Sequence, residues 1–403
     1  MSSVSILGGY QSDFARVLNR EGLEIADLVR EVATQTLAAA GVEAAQVETI
    51  HVANAFGQLY AGQGHLGAMP ATVIPELWGI PAMRHEAACA SGSLAILAAG
   101  AEIEAGRYDC ALVLGVEQEK TMPGPEAAAV QEAAAWVGHE TESDLPIWPR
   151  TFDAIAGEYD RRYGIDEAHL RAIGEINLSN ARQNPNAQTR GWKLNANSFA
   201  ADDEANPVVC GRLRRNDCCQ ITDGGAGVVL VSDRWLAKHR PSGADARLAG
   251  WGHTTVGLPI DQKLKRKEEG PYIMPHVRRA ITDAFKRSGI SGVEALSAIE
   301  THDCMTPSEY MAIDHFGITA PGESYKAIEG GDITKGGRIP VNPSGGLIGG
   351  GHPVGATGIR MLVDAVAQVS GRAGDYQVEG AGRVATLNIG GSTATTVSFV
   401  VEP

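Results

Sequence analysis

The sequence contains no run of apolar residues that approaches the roughly 18 needed to cross a bilayer. Residues 1–17 lack the cationic stretch and the long apolar core of a signal peptide. With a net charge of −14, the chain offers no overall field that attracts nucleic acid or an anionic membrane. We therefore expect a cytoplasmic protein without a nucleic-acid or membrane partner.

Two further absences argue against specific kinds of binding site. The six cysteines form no CxxC pair, so the spacing typical of a zinc site is missing and reduced thiols are expected. The glycine-rich segment 342–358 has neither GK[ST] nor GxGxxG spacing, which argues against a phosphate loop and a bound dinucleotide. The 49 glycines instead cluster at the ends of apolar runs, as the tight turns of an α/β protein require.

The order of predicted strands and helices occurs twice along the chain. SGVEALSAIETHDC aligns with AGVEAAQVETIHVANA, which places Ile299 on Ile50 and Cys304 on Ala55. Residues 355–369 then correspond to 89–103, and 383–391 to 109–117. Such a duplication predicts an α/β fold of two similar half-domains about a pseudo-twofold axis, with mostly parallel sheets covered by helices.

A middle segment interrupts this repeat. Residues 118–207 contain three tryptophans, several prolines and polar stretches, and we interpret them as an inserted loop domain. Strand character returns in ITDGGAGVVLVSD, so residues 208–240 complete the N-terminal half that begins with 1–117. Residues 241–403 form the C-terminal half.

Cys89 is a candidate nucleophile. It lies in HEAACASGS, directly before a predicted helix. A thiol at a helix N-terminus feels the helix dipole and free N–H groups, which favour the thiolate and can hold an oxyanion. The alternative is a packed thiol at a strand–helix junction, the commoner fate of a single cysteine. The repeat carries Gly355 at the equivalent position, so the scaffold itself does not require a thiol.

Two histidines are candidate partners of this thiol. His352 lies in NPSGGLIGGGHPVGATG, at the counterpart of the Cys89 junction. His302 and Cys304 follow the strand of SAIETHDC, and the ends of parallel strands collect catalytic groups in α/β sheets. A histidine in a polar turn, a strand-end histidine and a buried cysteine are the alternatives.

The motifs as a set resemble one family. ACASG around Cys89 is similar to the nucleophile motif of the thiolase superfamily, GHPVGATG to its histidine motif, and HDCM to the HDCF motif of the sterol carrier protein-type thiolases. YGIDEAHLRAI, NARQNPNAQ and DCCQITDGGAG extend the resemblance over the whole length. It implies a thiolase fold with αβαβα halves.

The chain also departs from the family pattern. Met305 replaces the phenylalanine of HDCF, which reshapes the acyl pocket. Asn388-Ile389-Gly390 stands where many thiolases carry a second cysteine in CxG. The resemblance then implies that Cys304 takes the acid/base role.

By the same resemblance, Cys89 attacks a 3-ketoacyl-CoA while His352 accepts the thiol proton. An acyl-cysteine forms, and the departing enolate receives a proton from Cys304 and hydrogen bonds from His302 and His352. The thioester oxygen faces the N–H groups of Cys89 and Gly390. The reverse reaction is a Claisen condensation. No metal and no permanently bound cofactor are expected, and coenzyme A is substrate or product.

Coenzyme A is expected to lie along the loop domain, where five cations are candidates for its phosphates: Arg161, Arg162, Arg182, Arg190 and Lys193. The alternative for each is a solvated polar face. The charged run 261–270 is expected to be an exposed loop. The resemblance also implies a homodimer or homotetramer, with a possible small accessory subunit.

Three other functions remain open. A thiolase-like subunit without catalysis would bind acyl-CoA or a partner, although the retention of all four candidate side chains argues against it. A condensing synthase acting on a carrier protein normally pairs its cysteine with His–His or His–Asn, and HDC argues against that arrangement. A retro-aldol lyase on this scaffold would not need the nucleophilic cysteine.

Overall fold

The computed structural model describes residues 3–141, 143, 145–240, 243–266 and 270–403. Its β-strands are short and mostly buried. They are β1 Val4–Gln11, β2 Thr49–Ala53, β3 Ala82–His85, β4 Cys110–Glu117, β5 Val208–Cys210, β6 Leu213–Arg214, β7 Gly224–Ser232, β8 Ala246–Thr255, β9 Ala298–Thr301, β10 Val384–Gly390 and β11 Thr395–Glu402.

The helices begin and end near the residues that the sequence predicts, with left-handed Gly41 and Gly289 closing two of them. They are α1 Leu18–Glu21, α2 Ile25–Ala40, α3 Gly57–Tyr60, α4 Met69–Val73, α5 Ser91–Glu104, α6 Gly124–Val130, α7 Ile147–Tyr163, α8 Glu167–Ala181, α9 Asp233–His239, α10 Ile260–Lys265, α11 Pro275–Ser288, α12 Thr306–Phe316, α13 Ser324–Glu329, α14 Gly346–Gly350 and α15 Thr357–Val369. Within the described ranges, no helix is both long and apolar enough to cross a membrane.

Within the described part of the chain, one sheet of nine strands joins the two halves, in the order β3, β2, β4, β7, β1, β8, β11, β10, β9. Reading outward from the centre, β1, β7, β4 and β2 correspond to β8, β11, β10 and β9. The seam is short, because β1 and β8 pair only Ser5 with Arg247 and Ile6 with Ala246. The duplication inferred from the sequence is therefore visible in the strand order.

The expectation of mostly parallel sheets is wrong. Only β2 with β3, β2 with β4, and β9 with β10 run parallel, and the other neighbours in this sheet are antiparallel. Residues 391–394 alone connect β10 to β11, and so short a connection permits only an antiparallel hairpin. The boundaries of the half-domains and the loop domain stay a prediction.

Helices α5 and α15 lie on the same face of the sheet and share one hydrophobic core. They meet at Gly92 and Gly358, which are equivalent positions of the repeat. A Cβ atom on Gly92 would lie 2.9 Å from the backbone nitrogen of Ile359, and one on Gly358 would lie 2.4 Å from that of Ser93. The two helix N-termini can approach this closely only because both positions lack a side chain. The segments that precede them carry Cys89 and His352.

We predict that Gly358→Ala destabilises the protein by about 1–3 kcal/mol, because the added methyl group has no space at the crossing. Chemical denaturation measures the free energy of unfolding. Gly157→Ala in α7 is the matched control, since nothing lies within 4 Å of its added Cβ atom. That control should stabilise the protein by about 0.5–1 kcal/mol. Equal effects of the two substitutions would contradict the proposed contact.

Candidate active site

A strained turn presents Cys89. Ala88 has a φ of 50°, in the left-handed region that an alanine rarely adopts. The hydroxyl of Ser91 holds the turn, because it accepts from the N–H of Ala87 at 2.9 Å and donates to the carbonyl of Ala88 at 2.6 Å. Helix α5 begins at Ser91, so Cys89 lies just before a helix N-terminus, as predicted.

The equivalent position in the second half has no space for a side chain. A Cβ atom on Gly355 would lie 2.7 Å from Cα of Asn54 and 2.8 Å from Oε2 of Glu117. That carboxylate accepts the N–H groups of Ala55 and Gly355, at 2.8 and 2.9 Å. The strand end of β4 thereby holds the segment that leads to α15.

The candidate residues converge on one small cavity of about 30 Å³. Cys89, Cys304 and His352 line it together. His302 joins them, because the thiol sulfur of Cys89 and one ring nitrogen each of His302 and His352 lie within 4.8 Å of one another. The rings of the two histidines meet edge to face, with centroids 5.3 Å apart. Four side chains from three distant segments thus meet at one place.

The N–H groups near the helix N-terminus favour the thiolate of Cys89, as expected, but burial outweighs them. Burial raises the pKa of Cys89 to about 12, and the nearby Glu119 and Glu117 add to the rise. The N–H groups of Gly391 and of Cys89 itself lower the pKa of the thiol, but they do not offset its loss of water. The resting nucleophile is a neutral thiol.

The partners of Cys89 are neutral as well. Burial, followed by the charge of Arg360, lowers the pKa of His352 to about 3. Burial also lowers the pKa of His302 well below its ordinary value, with His352 as the next cause. The pKa of Cys304 is raised well above that of a free thiol, because it is buried beside Cys219 and Cys89.

The hydrogen bonds of His352 indicate its tautomer. Its Nδ1 lies 2.7 Å from the hydroxyl of Thr357, and that hydroxyl donates to the carbonyl of Pro353 at 3.1 Å. The hydroxyl oxygen therefore accepts a proton from Nδ1. The lone pair of Nε2 then faces the cavity, where this atom is buried without a hydrogen-bond partner. His352 thus presents an acceptor lone pair on Nε2, and its lowered pKa makes the ring a weak base at rest.

Asp303, between the two candidate residues His302 and Cys304, has a structural part. Its carboxylate accepts the N–H groups of Leu347 at 2.5 Å and Ile348 at 3.1 Å, and the amide of Asn177 at 2.9 Å. It thereby fixes the end of β9 to α14, the helix just before His352.

Gly390 ends β10 against the Cys89 turn. A Cβ atom there would lie 2.2 Å from the carbonyl oxygen of Ala87, so a side chain cannot be accommodated. The N–H directed at the thiol sulfur belongs to the next residue, Gly391. The structure thus places Gly390 beside the nucleophile as a close backbone contact.

Two residues that sequence reasoning missed support this site. Cys219 lines the same cavity, and its N–H donates to the carbonyl of Cys304 at 2.8 Å. Lys263 is largely buried and donates to the hydroxyl of Ser392 at 2.6 Å, next to Gly391. The DCC sequence was the only signal for Cys219, and Lys263 lay in a run read as an exposed loop.

The structure corrects part of the expectation that residues 261–270 form an exposed loop. Residues 261–265 belong to α10, which packs Lys263 against the turn after β10, because its aliphatic stem and its donors both find partners there. Residues 267–269 of the run lie outside the described residues.

The structure does not bring the predicted phosphate-binding cations to the cavity. Arg190 forms two hydrogen bonds of 2.7 Å with the carboxylate of Asp13. Arg161 and Arg162 both bind Glu158. Arg182 and Lys193 are exposed. Among the residues that the structure describes, none of these five lines the Cys89 cavity.

The convergence of Cys89, His302 and His352 is also the only group of three within the described residues that has the spacing of metal ligands. A thiolate and two imidazoles match the donor types of a zinc site with an open fourth position. The expectation of no metal was drawn from sequence spacing alone and stays untested.

Comparison with known proteins identifies the class. The chain matches "Thiolase, N-terminal domain" over residues 4–234 and "Thiolase C-terminal domain-like" over 262–402. The acetyl-CoA acetyltransferase of Methanothermobacter thermautotrophicus is 30% identical, with 98% of each chain covered. Sterol carrier protein 2 of Bos taurus is 29% identical over 94% of this chain and 68% of its own length. The chain belongs to the thiolase family, and the prediction of a thiolase-type acyltransferase enzyme is confirmed.

Solved structures agree on the fold. The acetyl-CoA acetyltransferase from Syntrophomonas wolfei superposes with a TM-score of 0.72 at 18% identity, covering 100% of this chain and 99% of that one. The Ltp2-ChsH2(DUF35) aldolase gives 0.79 at 18% identity, covering 99% and 97%. The predicted thiolase fold is confirmed.

We predict that alkylation of Cys89 by iodoacetamide accelerates about tenfold per pH unit from pH 7 to 10, without levelling off. The pKa of the thiol is about 12, so the thiolate fraction keeps rising over that range. Free cysteine, the control, levels off above its pKa of about 8.5. Peptide mass spectrometry follows the modification. A plateau near pH 7 would instead reveal a thiolate–imidazolium pair and refute the neutral resting state.

Proposed function

We propose that the protein transfers acyl groups between coenzyme A thioesters through an acyl-cysteine on Cys89. The observation that carries this proposal is the shared cavity, in which the thiols of Cys89 and Cys304 meet the imidazole of His352. A nucleophile, a proton acceptor and a second acid/base group are the parts that thiolysis and Claisen condensation require.

In the first step, Cys89 attacks the keto carbon of a 3-ketoacyl-CoA as its proton moves to Nε2 of His352. The lowered pKa of His352 keeps its ring neutral at pH 7, so this nitrogen is available as an acceptor. The N–H groups of Gly391 and Cys89 are directed at the thiol sulfur, which supports them as donors to the thioester oxygen as it develops negative charge. Losing one such donor typically costs roughly 3–4 kcal/mol of barrier.

In the second step, cleavage of the carbon–carbon bond releases the enolate of acetyl-CoA. The Cys304 thiol, whose pKa is raised by burial, is protonated and gives its proton to the enolate carbon. His302 and the now protonated His352 donate hydrogen bonds to the enolate oxygen. The thiol of coenzyme A then attacks the acyl-cysteine and its proton passes to the Cys304 thiolate, while the departing Cys89 sulfur regains the proton held by His352. Condensation is this sequence reversed, with Cys304 removing the α-proton of acetyl-CoA.

The volume of the cavity favours a short acyl group. A space of about 30 Å³ holds roughly two water molecules, which suits an acetyl group. Phe56, Trp148, Phe152 and Met305 line it with large side chains. The Met305 that departs from the family motif is one of them. We propose acetyl transfer as the preferred reaction.

The coenzyme A arm has a visible approach. A groove of about 350 Å³ shares Ala134 and Gly391 with the cavity and is otherwise lined largely by small residues and Leu258. A narrow thioester arm fits such a channel. The oligomer and the accessory subunit stay predictions, although β3 is an edge strand of the sheet and offers unpaired backbone groups to a partner.

We predict that incubation with acetyl-CoA places one acetyl group on Cys89, detected by digestion and mass spectrometry. Hexanoyl-CoA should acylate Cys89 far more slowly, because the cavity does not hold a six-carbon chain. Cys110 is the internal control, since it is buried in β4 away from the cavity. An unmodified Cys89 in protein that binds coenzyme A would favour the non-catalytic subunit. Equal rates for the two thioesters would refute the size limit.

A further prediction concerns Cys304. Cys304→Ala should leave acetylation of Cys89 largely intact while stopping the exchange of the α-protons of acetyl-CoA, because it removes only the group that exchanges protons with the enolate. Nuclear magnetic resonance in deuterated water measures this exchange. Cys218→Ala is the control, as a neighbouring buried thiol that does not line the cavity. Persistent exchange in Cys304→Ala assigns the proton transfer to another group.

A further inference from the structure

Two side chains hold His302 from the face that points away from the cavity. Its Nδ1 lies 3.3 Å from the amide nitrogen of Asn388. The amide oxygen of Asn388 accepts a hydrogen bond of 2.9 Å from the hydroxyl of Ser93. All three side chains are buried, so water does not compete for these bonds. The opposite ring nitrogen of His302, Nε2, is buried without a partner, and one ring nitrogen of His302 lies within 4.8 Å of the Cys89 sulfur.

We infer that Ser93 and Asn388 are positioning residues that keep the proton of neutral His302 on Nε2. An amide nitrogen can only donate, so Nδ1 of His302 must accept and cannot carry the proton. The Ser93 hydroxyl donates to the amide oxygen of Asn388, and in this orientation the amide nitrogen faces the ring. This inference rests on the proposed function, in which His302 donates to the enolate oxygen.

The packing around the pair is tight enough to hold this arrangement. A Cβ atom on Gly358 would lie 2.4 Å from Oγ of Ser93 and 2.5 Å from the amide oxygen of Asn388. Ser93 belongs to α5, which follows Cys89, and Asn388 belongs to β10, which precedes Gly391. The elements that place the nucleophile and its N–H donor therefore also set the proton of His302.

The two histidines then present opposite hydrogen-bonding groups to the cavity, an acceptor on one ring and a donor on the other. His352 has its proton on Nδ1, bound to Thr357, and presents a lone pair to Cys89. His302 presents an N–H. One accepts the thiol proton while the other is already a donor for a developing oxyanion, so no reorientation is required during the reaction. The same tautomer opposes metal capture, because a metal ion would need a lone pair on both Nε2 atoms.

Asn388→Asp tests the assignment, because a carboxylate accepts a proton from Nδ1 and leaves the lone pair on Nε2. Nitrogen-15 shifts of ring-labelled histidine report the tautomer, and the spectrum of His302→Gln assigns the signal. We expect the proton on Nε2 in the natural protein and on Nδ1 in Asn388→Asp. The kcat for condensation should fall about 10²–10³-fold, as for the loss of an oxyanion donor. Acetylation of Cys89 and the KM for acetyl-CoA should change little.

The second measurement is the affinity for Co²⁺, which the substitution should increase. Asn388→Asp should bind Co²⁺ more tightly than the natural protein, with a thiolate-to-cobalt charge-transfer band that Cys89→Ser abolishes. Ser93→Ala releases the amide and should give a mixture of tautomers with intermediate Co²⁺ affinity. Ser398→Ala is the matched control, since it removes a buried hydroxyl without a partner from β11 and should leave both readouts unchanged.

A proton on Nδ1 in the natural protein would overturn the inference, as would Asn388→Asp with its proton still on Nε2. If that variant does not fold, Ser93→Ala with an unchanged tautomer and Co²⁺ affinity refutes the role of the pair. The tautomer and Co²⁺ measurements need no catalysis. Failure of Cys89 to become acetylated would therefore refute the proposed function while leaving this assignment standing.

Discussion

The backbone contact between Gly92 and Gly358 is the constraint on which the site depends. It brings together the N-termini of two helices that belong to different copies of the repeat. The segment before one helix carries Cys89, and the segment before the other carries His352. The same contact encloses Ser93 and Asn388. The two glycines therefore determine both how closely the helices pack and which side chains meet in the cavity.

The cavity works with groups that are all uncharged at rest. Burial raises the pKa of the thiols and lowers that of the histidines, so both kinds of group are driven toward their neutral forms. In the proposed mechanism, charge develops only when a substrate is bound and a proton moves. Hydrogen-bond direction, set by Thr357 on one ring and Asn388 on the other, then decides what each nitrogen can do. A closed apolar environment makes such directional contacts stronger than they would be in water.

Sequence motifs were sufficient to nominate Cys89, His302, Cys304 and His352, because each occurs in a short segment of distinctive composition, and the structure brings these four side chains together. The repeat also predicted two equivalent halves, which agrees with the matching strand order on both sides of the seam. Strand direction was not predictable in the same way, since a four-residue hairpin after β10 decides it. The sequence suggested the N–H of Gly390 as a donor at the nucleophile, whereas the N–H of Gly391 is directed at the thiol. Which of the two it is depends on the exact residue at which β10 ends. Asn388 and Ser93 lie 295 residues apart, so only tertiary structure reveals their bond.

Gly355 shows why a duplicated chain has a single reaction centre. The position that matches Cys89 is filled by the backbone of Asn54 and the carboxylate of Glu117. A cysteine introduced there by symmetry would displace the support of the α15 segment and, with it, the histidine that serves the first thiol. In the proposed mechanism each half therefore has a different part, one supplying the nucleophile and the other its proton acceptor. A second cysteine at position 355 would disrupt the first site, which limits the proposed reaction to one centre per polypeptide.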